Sequence, residues 1–193
     1  GGGDLVGEKV TLATQDALLR ARKQYPEVAT RLIGASIRSG EQVAFLAGLD
    51  VMTIPPSAME EFLKMKHPVG TMSSNIGKDI NPGIDFSNPH GLRFQKLWEV
   101  PDAFVQFVDD LLASTTLDTM TGGEMESFCR ERNVDLFYPF SPEELKKIFD
   151  LGKIPRLDEW SQEVALDDLM TQSALQSFSK DQASLDDRIR SFL

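Results

Sequence analysis

Apolar residues follow a helical rhythm at the start of the chain and then give way to short unbroken runs. Between Thr11 and Tyr25, Leu12, Leu18, Leu19 and Arg22 recur at helical spacing, while Ala13, Ala17 and Ala21 add helix propensity. Thr11 or the turn at Thr14-Gln15-Asp16 supplies a start and Pro26 a stop. Thr30 to Ser36 (TRLIGAS) is short, apolar and β-compatible, the pattern of a parallel strand covered on both faces. Ser39-Gly40-Glu41 opens a second helix, Gln42 to Ala47, closed by Gly48. Leu49 to Ile54 (LDVMTI) reads as a second buried strand. Pro55-Pro56-Ser57 then starts a helix from Ala58 to Met65, since proline suits a first turn whose N–H groups lack partners.

The predicted order is helix, strand, helix, strand, helix, with connections of a few residues. That order implies right-handed βαβ crossovers and a parallel sheet. Two strands alone cannot cover both sheet faces or satisfy their outer edges. Further strands are therefore expected from outside these residues. From Lys66 to Arg93 the chain turns rich in Gly, Ser, Asn and Pro and reads as a loop or linker. Helical patterns follow: Pro101 to Ser114, with Phe104, Val105, Val108, Leu111 and Leu112 on one face; Gly123 to Asn133; and a helix that Ser141-Pro142-Glu143-Glu144 opens as a capping box, running to Gly152. Asp158 to Ser179 and Ser184 to Leu193 complete the series, with a charged, solvated face near the end.

Composition narrows the function. Of 193 residues, 41% are hydrophobic and 26% charged, as in ordinary globular proteins. Twenty basic residues against thirty acidic ones give a net charge of −10. Such a chain repels phosphate backbones and anionic lipid, so neither nucleic acid nor a membrane is an expected partner. No apolar run reaches the length of a membrane span, no signal peptide is visible, and the single cysteine, Cys129, permits no internal disulfide. A reducing, cytoplasmic setting is the expectation. Cys129 reads as a small, partly buried helix residue. The chain begins Gly1-Gly2-Gly3-Asp4 without methionine. That start fits an appended scar or the interior of a longer chain, and the missing strands favour the second.

Candidate chemistry gathers after the first strand. Arg38 follows Gly34-Ala35-Ser36 and so stands at that strand's C-terminal end, where parallel α/β barrels build their sites. A guanidinium there can clamp a phosphate bidentately, and Ser36, Ser39 and the Gly40 N–H can add hydrogen bonds. The competing reading is a surface arginine at a helix start, paired with Glu41. Thr53 ends the second strand toward the same side, either lining a sugar site or packing as β-branched strand residues do. His67, His90, Asp79 and Asp85 have no metal-ligand spacing, and no phosphate-loop or nucleophile-elbow motif occurs. No metal or cofactor is expected. Phe104, Phe107, Phe137, Phe140 and Phe149 read as core.

The run from Thr30 through Ala35-Ser36-Ile37-Arg38-Ser39-Gly40-Glu41-Gln42-Val43 to Leu46-Ala47-Gly48-Leu49-Asp50-Val51-Met52-Thr53-Ile54-Pro55-Pro56 closely resembles transaldolases. Those enzymes carry Ala-Ser-x-Arg after the seventh barrel strand. A Gln-Val helix and an Ala-Gly-x-Asp-x-x-Thr-(Ile/Met)-x-Pro eighth strand follow it. The helix Thr11 to Tyr25 matches their sixth. The resemblance covers Val10 to Lys66, roughly a third of the chain.

It implies an α/β fold: the C-terminal part of a (β/α)8 TIM barrel, strands seven and eight with their helices, in residues 1–66. A linker (67–100) and a mainly α-helical extension (101–193) would follow. It also implies transfer of a dihydroxyacetone unit between sugar phosphates through a lysine Schiff base, as in the pentose phosphate pathway, without a cofactor. Arg38 would bind the substrate phosphate, with Ser36 beside it. The family's Schiff-base lysine belongs to the fourth strand and its carboxylates to the first and third, none of which lies here. Lys9 precedes the sixth helix, and Lys64 and Lys66 follow the eighth strand. The isolated chain is thus expected to be inactive, a sugar phosphate to be the partner, and the helical extension to offer a route to homo-oligomers. Two alternatives stay open: a non-catalytic remnant that binds a sugar phosphate or a partner protein, and a fructose 6-phosphate aldolase.

Overall fold

The computed structural model describes residues 4–67, 70–84, 94–152, 156–160 and 164–192. The chain divides into two compact units, Gly1–Ser87 and Asn88–Leu193. Asp85 and His90, which the sequence gives no metal-ligand spacing, lie outside the described residues.

The first unit is built from α1 (Val6–Gln24), β1 (Ile33–Gly34), α2 (Gly40–Phe45), β2 (Val51–Met52) and α3 (Pro56–Lys64). The order is the one the hydrophobic pattern predicts. α1 starts earlier than expected: its first turn is tied to the unit, with Leu5 packed on the core and Glu8 buried, and Gly7 does not stop the helix. Lys9 therefore lies within α1 rather than before it. β1 and β2 are parallel, with Ile33 opposite Val51 and Gly34 opposite Met52. Among the described residues they pair only with each other. The ladder holds just where they face one another, flanked by bonds from Val51 N–H to the Leu32 carbonyl (3.2 Å) and from Thr53 N–H to the Gly34 carbonyl (2.8 Å). The strands are thus shorter than the apolar runs that predict them.

One sheet face is covered. Gly34 is buried and Met52 packs against a core of Leu12, Ile37, Val43, Leu46, Ala58 and Ile80, drawn from all three helices and from the segments that follow β1, α2 and α3. The other face is not: Ile33 is 59% exposed and Val51 41%, and Ala35 and Thr53 are exposed too. The sequence suggested strands covered on both faces; the described residues cover only one. α2 packs tightly on α3 at Gly40, where an added Cβ would come within 2.4 Å of the Phe62 nitrogen. The Gly- and Asn-rich stretch after α3 is irregular, as its composition implies, yet it packs back on this unit. Asn75 donates to the Phe45 carbonyl at 2.7 Å, and Ile80 enters the core.

The second unit is helical: α4 (Asp102–Leu112), α5 (Gly122–Glu131), α6 (Pro142–Leu151) and α7 (Leu166–Arg190), with short 3-10 turns. The capping box at Ser141 forms as the sequence requires, and Thr121 with Glu124 forms a second one at α5. The two helical segments expected over Asp158–Ser179 and Ser184–Leu193 are joined into one α7, because neither Gly nor Pro interrupts Lys180 to Ala183, but α7 begins only at Leu166, a separate 3-10 turn occupying Leu157–Glu159. Ile148, Trp160, Val164, Leu166 and Leu169 form the core, with Phe94, Leu97, Tyr138 and Phe140 against it. On α4 the buried ridge includes Phe107, which stacks edge-on against Phe128 at 5.6 Å, whereas Val105 and Leu112 face water. Phe137 and Phe149, expected in the core, are about half exposed.

Candidate functional site

The loops after β1 and β2 leave the sheet at the same, C-terminal end. The β1 loop turns at Ser36, whose φ of 58° lies in the left-handed region that non-glycine residues seldom occupy. That turn drives Ile37 into the core (3% exposed) and leaves Ser36 and Arg38 exposed on either side of it. Two side chains pin the loop. Ser39 caps α2, its hydroxyl oxygen accepting from Gln42 N–H at 3.2 Å, with its own proton still able to donate. Gln42 Oε1 accepts from Arg38 N–H at 2.8 Å, while its Nε2 donates to Glu8 Oε1, also at 2.8 Å. The Arg38 backbone is thus fixed although its guanidinium is solvent-facing. Among the described residues no carboxylate pairs with that guanidinium, Glu41 included.

The Gly40 N–H, one expected anion donor, already donates to Glu61 Oε2 of α3 at 3.0 Å. An incoming anion would compete with that carboxylate. Thr53 is exposed at the tip of β2, its N–H held by the Gly34 carbonyl. Ser36, Arg38, Ser39 and Thr53 therefore all belong to the two loops at this one end of the sheet. The lysines do not. Lys9 Nζ donates to the Ile80 carbonyl at 2.8 Å and contacts Asp79 at 3.4 Å. Lys64 and Lys66 are exposed at the far end of α3. His67 stacks on Phe62, with ring centroids 5.4 Å apart. Among the described residues no group of acidic, His or Cys side chains could hold a metal.

The opposite, N-terminal end of the strands is closed by an ion pair that sequence reading did not find. Arg22 of α1 grips Asp50 with two hydrogen bonds of 2.9 and 2.6 Å and also donates to the Thr30 carbonyl. Asp50 further accepts from Leu32 N–H at 3.0 Å, and its own N–H donates to Gln15 Oε1 at 3.0 Å. The Arg22 bonds above all, then the Leu32 N–H, hold the Asp50 carboxyl far below the usual carboxylate range. Arg22 is raised in turn by its bond to Asp50. The cluster joins α1, β1 and β2 where barrel folds keep their stabilising contacts. Its sequence signal was weak: a charged Arg22 on the apolar face of α1, and Asp50 at the start of an apolar strand. In the second unit, burial and then the nearby Glu126 push the Cys129 thiol up, as befits an inert interior cysteine.

With this geometry in view, comparison with known proteins gives one informative match. A transaldolase of Chlamydia pneumoniae is 45% identical over 42 residues, which is 22% of this chain and 13% of that protein. No family model matches the chain, and no solved structure matches it. The chain therefore contains a transaldolase-like region and spans only a small part of the length of the relative it matches. No helix among the described residues is long and apolar enough to cross a membrane.

Proposed function

We propose that the first unit is the phosphate-binding end of a transaldolase-type (β/α)8 barrel, supplying its last two strands, and that the complete barrel transfers a dihydroxyacetone unit between sugar phosphates. One observation carries the reading. A parallel two-stranded sheet is coated by helices on one face, bare and apolar on the other at Ile33 and Val51, and presents an unpaired Arg38 at its C-terminal end. A barrel stave has this form: helices outside, apolar side chains facing a lumen that neighbouring strands close, and substrate groups at the strand ends. The transaldolase match supports the family, and it is short.

In this reading Arg38 holds the substrate phosphate by paired N–H bonds and charge. Ser36 and Ser39 donate hydroxyl protons to its oxygens, and Thr53 lines the sugar. The amine that forms the Schiff base comes from strands outside these residues, because Lys9 is engaged at Ile80 and Lys64 and Lys66 stand beyond the strand ends. The chain by itself binds without turnover, and the same lysine placement favours that non-catalytic reading for residues 1–193 taken alone.

Borohydride trapping tests the assignment. The natural protein containing this chain, treated with fructose 6-phosphate and borohydride, should acquire a reduced three-carbon adduct on a lysine outside residues 1–193. An adduct on a lysine within them, or none at all, would end the proposal.

A further inference from the structure

A buried carboxylate stands behind the β1 loop. Glu8, in the first turn of α1, is 7% exposed, and a carboxylate so enclosed is stable only where donors meet it. Among the described residues its hydrogen bond comes from Gln42 Nε2, 34 residues along the chain. The other end of that amide accepts from Arg38 N–H. The direction of the amide is forced. A carboxylate only accepts and a backbone N–H only donates, so Gln42 turns its NH2 group to Glu8 and its oxygen to Arg38.

Local sequence alone would send Gln42 elsewhere. Ser39 and Gln42 have the spacing of a capping box, in which the Gln42 oxygen would take the N–H of Ser39. The boxes at α5 and α6 close in that way: Glu124 takes the Thr121 N–H at 2.7 Å, and Glu144 takes the Ser141 N–H at 2.8 Å. At α2 half of the box forms. Ser39 accepts from Gln42 N–H, but the Gln42 oxygen reaches one residue further back, to Arg38. We propose that Glu8 is a positioning residue of the Arg38 phosphate site, holding the Arg38 backbone in place through the Gln42 amide. The role rests on the phosphate-binding reading of Arg38 given above. Electrostatics gives it a distinctive sign. Glu8 is acidic, so its charge alone opposes a bound anion, and removing that charge would tighten phosphate binding. Removing a support of the loop weakens it.

Nitrogen-15 NMR titration of the full chain with fructose 6-phosphate tests it. Glu8→Met keeps the length of the side chain and removes its oxygens. It should weaken binding by roughly three- to tenfold, the scale of one hydrogen bond. Glu8→Gln, of the same shape, should weaken it less but in the same direction, because its amide can present either end to Gln42. Gln42→Met should cost as much as Glu8→Met. The double variant Glu8→Met with Gln42→Met should bind no more weakly than Gln42→Met alone, because the two residues act in one line. In each variant the Arg38 amide signal should move upfield and exchange faster. Melting curves separate a loosened loop from an unfolded unit, and if Glu8→Met unfolds, Glu8→Gln decides. No response to fructose 6-phosphate in the unaltered chain would overturn the phosphate site and this role with it. Binding that the folded Glu8 variants leave unchanged or tighten, or losses that add in the double variant, would overturn the role alone.

Discussion

Arg38 owes its availability to the residues around it. Ser36 takes a left-handed turn, Ile37 anchors the loop in the core, and Gln42 holds the Arg38 backbone, so the guanidinium is positioned while no carboxylate among the described residues pairs with it. Glu61 works against an anion at the same place, because it occupies the Gly40 N–H. Glu61→Gln should therefore tighten phosphate binding by a few-fold, roughly the scale of one exposed charge, as measured by titration calorimetry. The Asp50 cluster makes a prediction with a definite sign. Its folded pKa lies below the unfolded value of about 4, so its contribution to stability is complete above that value and is lost as pH falls from there toward the folded pKa. Thermal unfolding followed between pH 7 and about pH 2 should show a destabilisation on acidification that Asp50→Asn largely removes. An unchanged acid slope in that variant would mean that other carboxylates govern it.

At the level of elements, much of the chain could be read directly. The capping box at Ser141 lies wholly in local sequence, and both of its hydrogen bonds form. Ser141→Ala should cost the second unit about 1 kcal/mol, read from denaturant midpoints. The order of helices and strands before Lys66 was legible because Pro26, Ser39, Gly48 and Pro55-Pro56 stand beside element ends, whereas the start of α1, which no side chain caps, was not. Burial was less legible, because it depends on partners that local sequence does not name. Phe137 and Phe149 look like core residues yet stand half exposed, whereas Ile80 emerges from a Gly- and Asn-rich stretch to enter the first core. The Arg22–Asp50 pair was hidden because its partners lie 28 residues apart. The left-handed turn at Ser36 has no local mark, since serine is not a residue that favours it. Ile148, fully enclosed beneath α7, should lose about 2–5 kcal/mol on replacement by Ala. A smaller loss would show that this core is loosely packed.

For the whole chain, the bare sheet face is the feature that fold and function share. Ile33 and Val51 lie exposed beside open strand edges, an arrangement that invites pairing with further strands. Where those strands are lacking, the chain should associate through this face. Light scattering at rising concentration should detect larger species that Ile33→Lys suppresses. In the proposed function, the loops at the C-terminal end of this sheet recognise an esterified sugar. A nitrogen-15 NMR titration of the intact chain with fructose 6-phosphate, set against fructose, tests it most directly. Saturable shifts should be confined to the residues around Ser36, Arg38, Ser39 and Thr53, depend on the phosphate and be abolished by Arg38→Ala. Equal responses to the two sugars, or a phosphate response that survives Arg38→Ala, would contradict it.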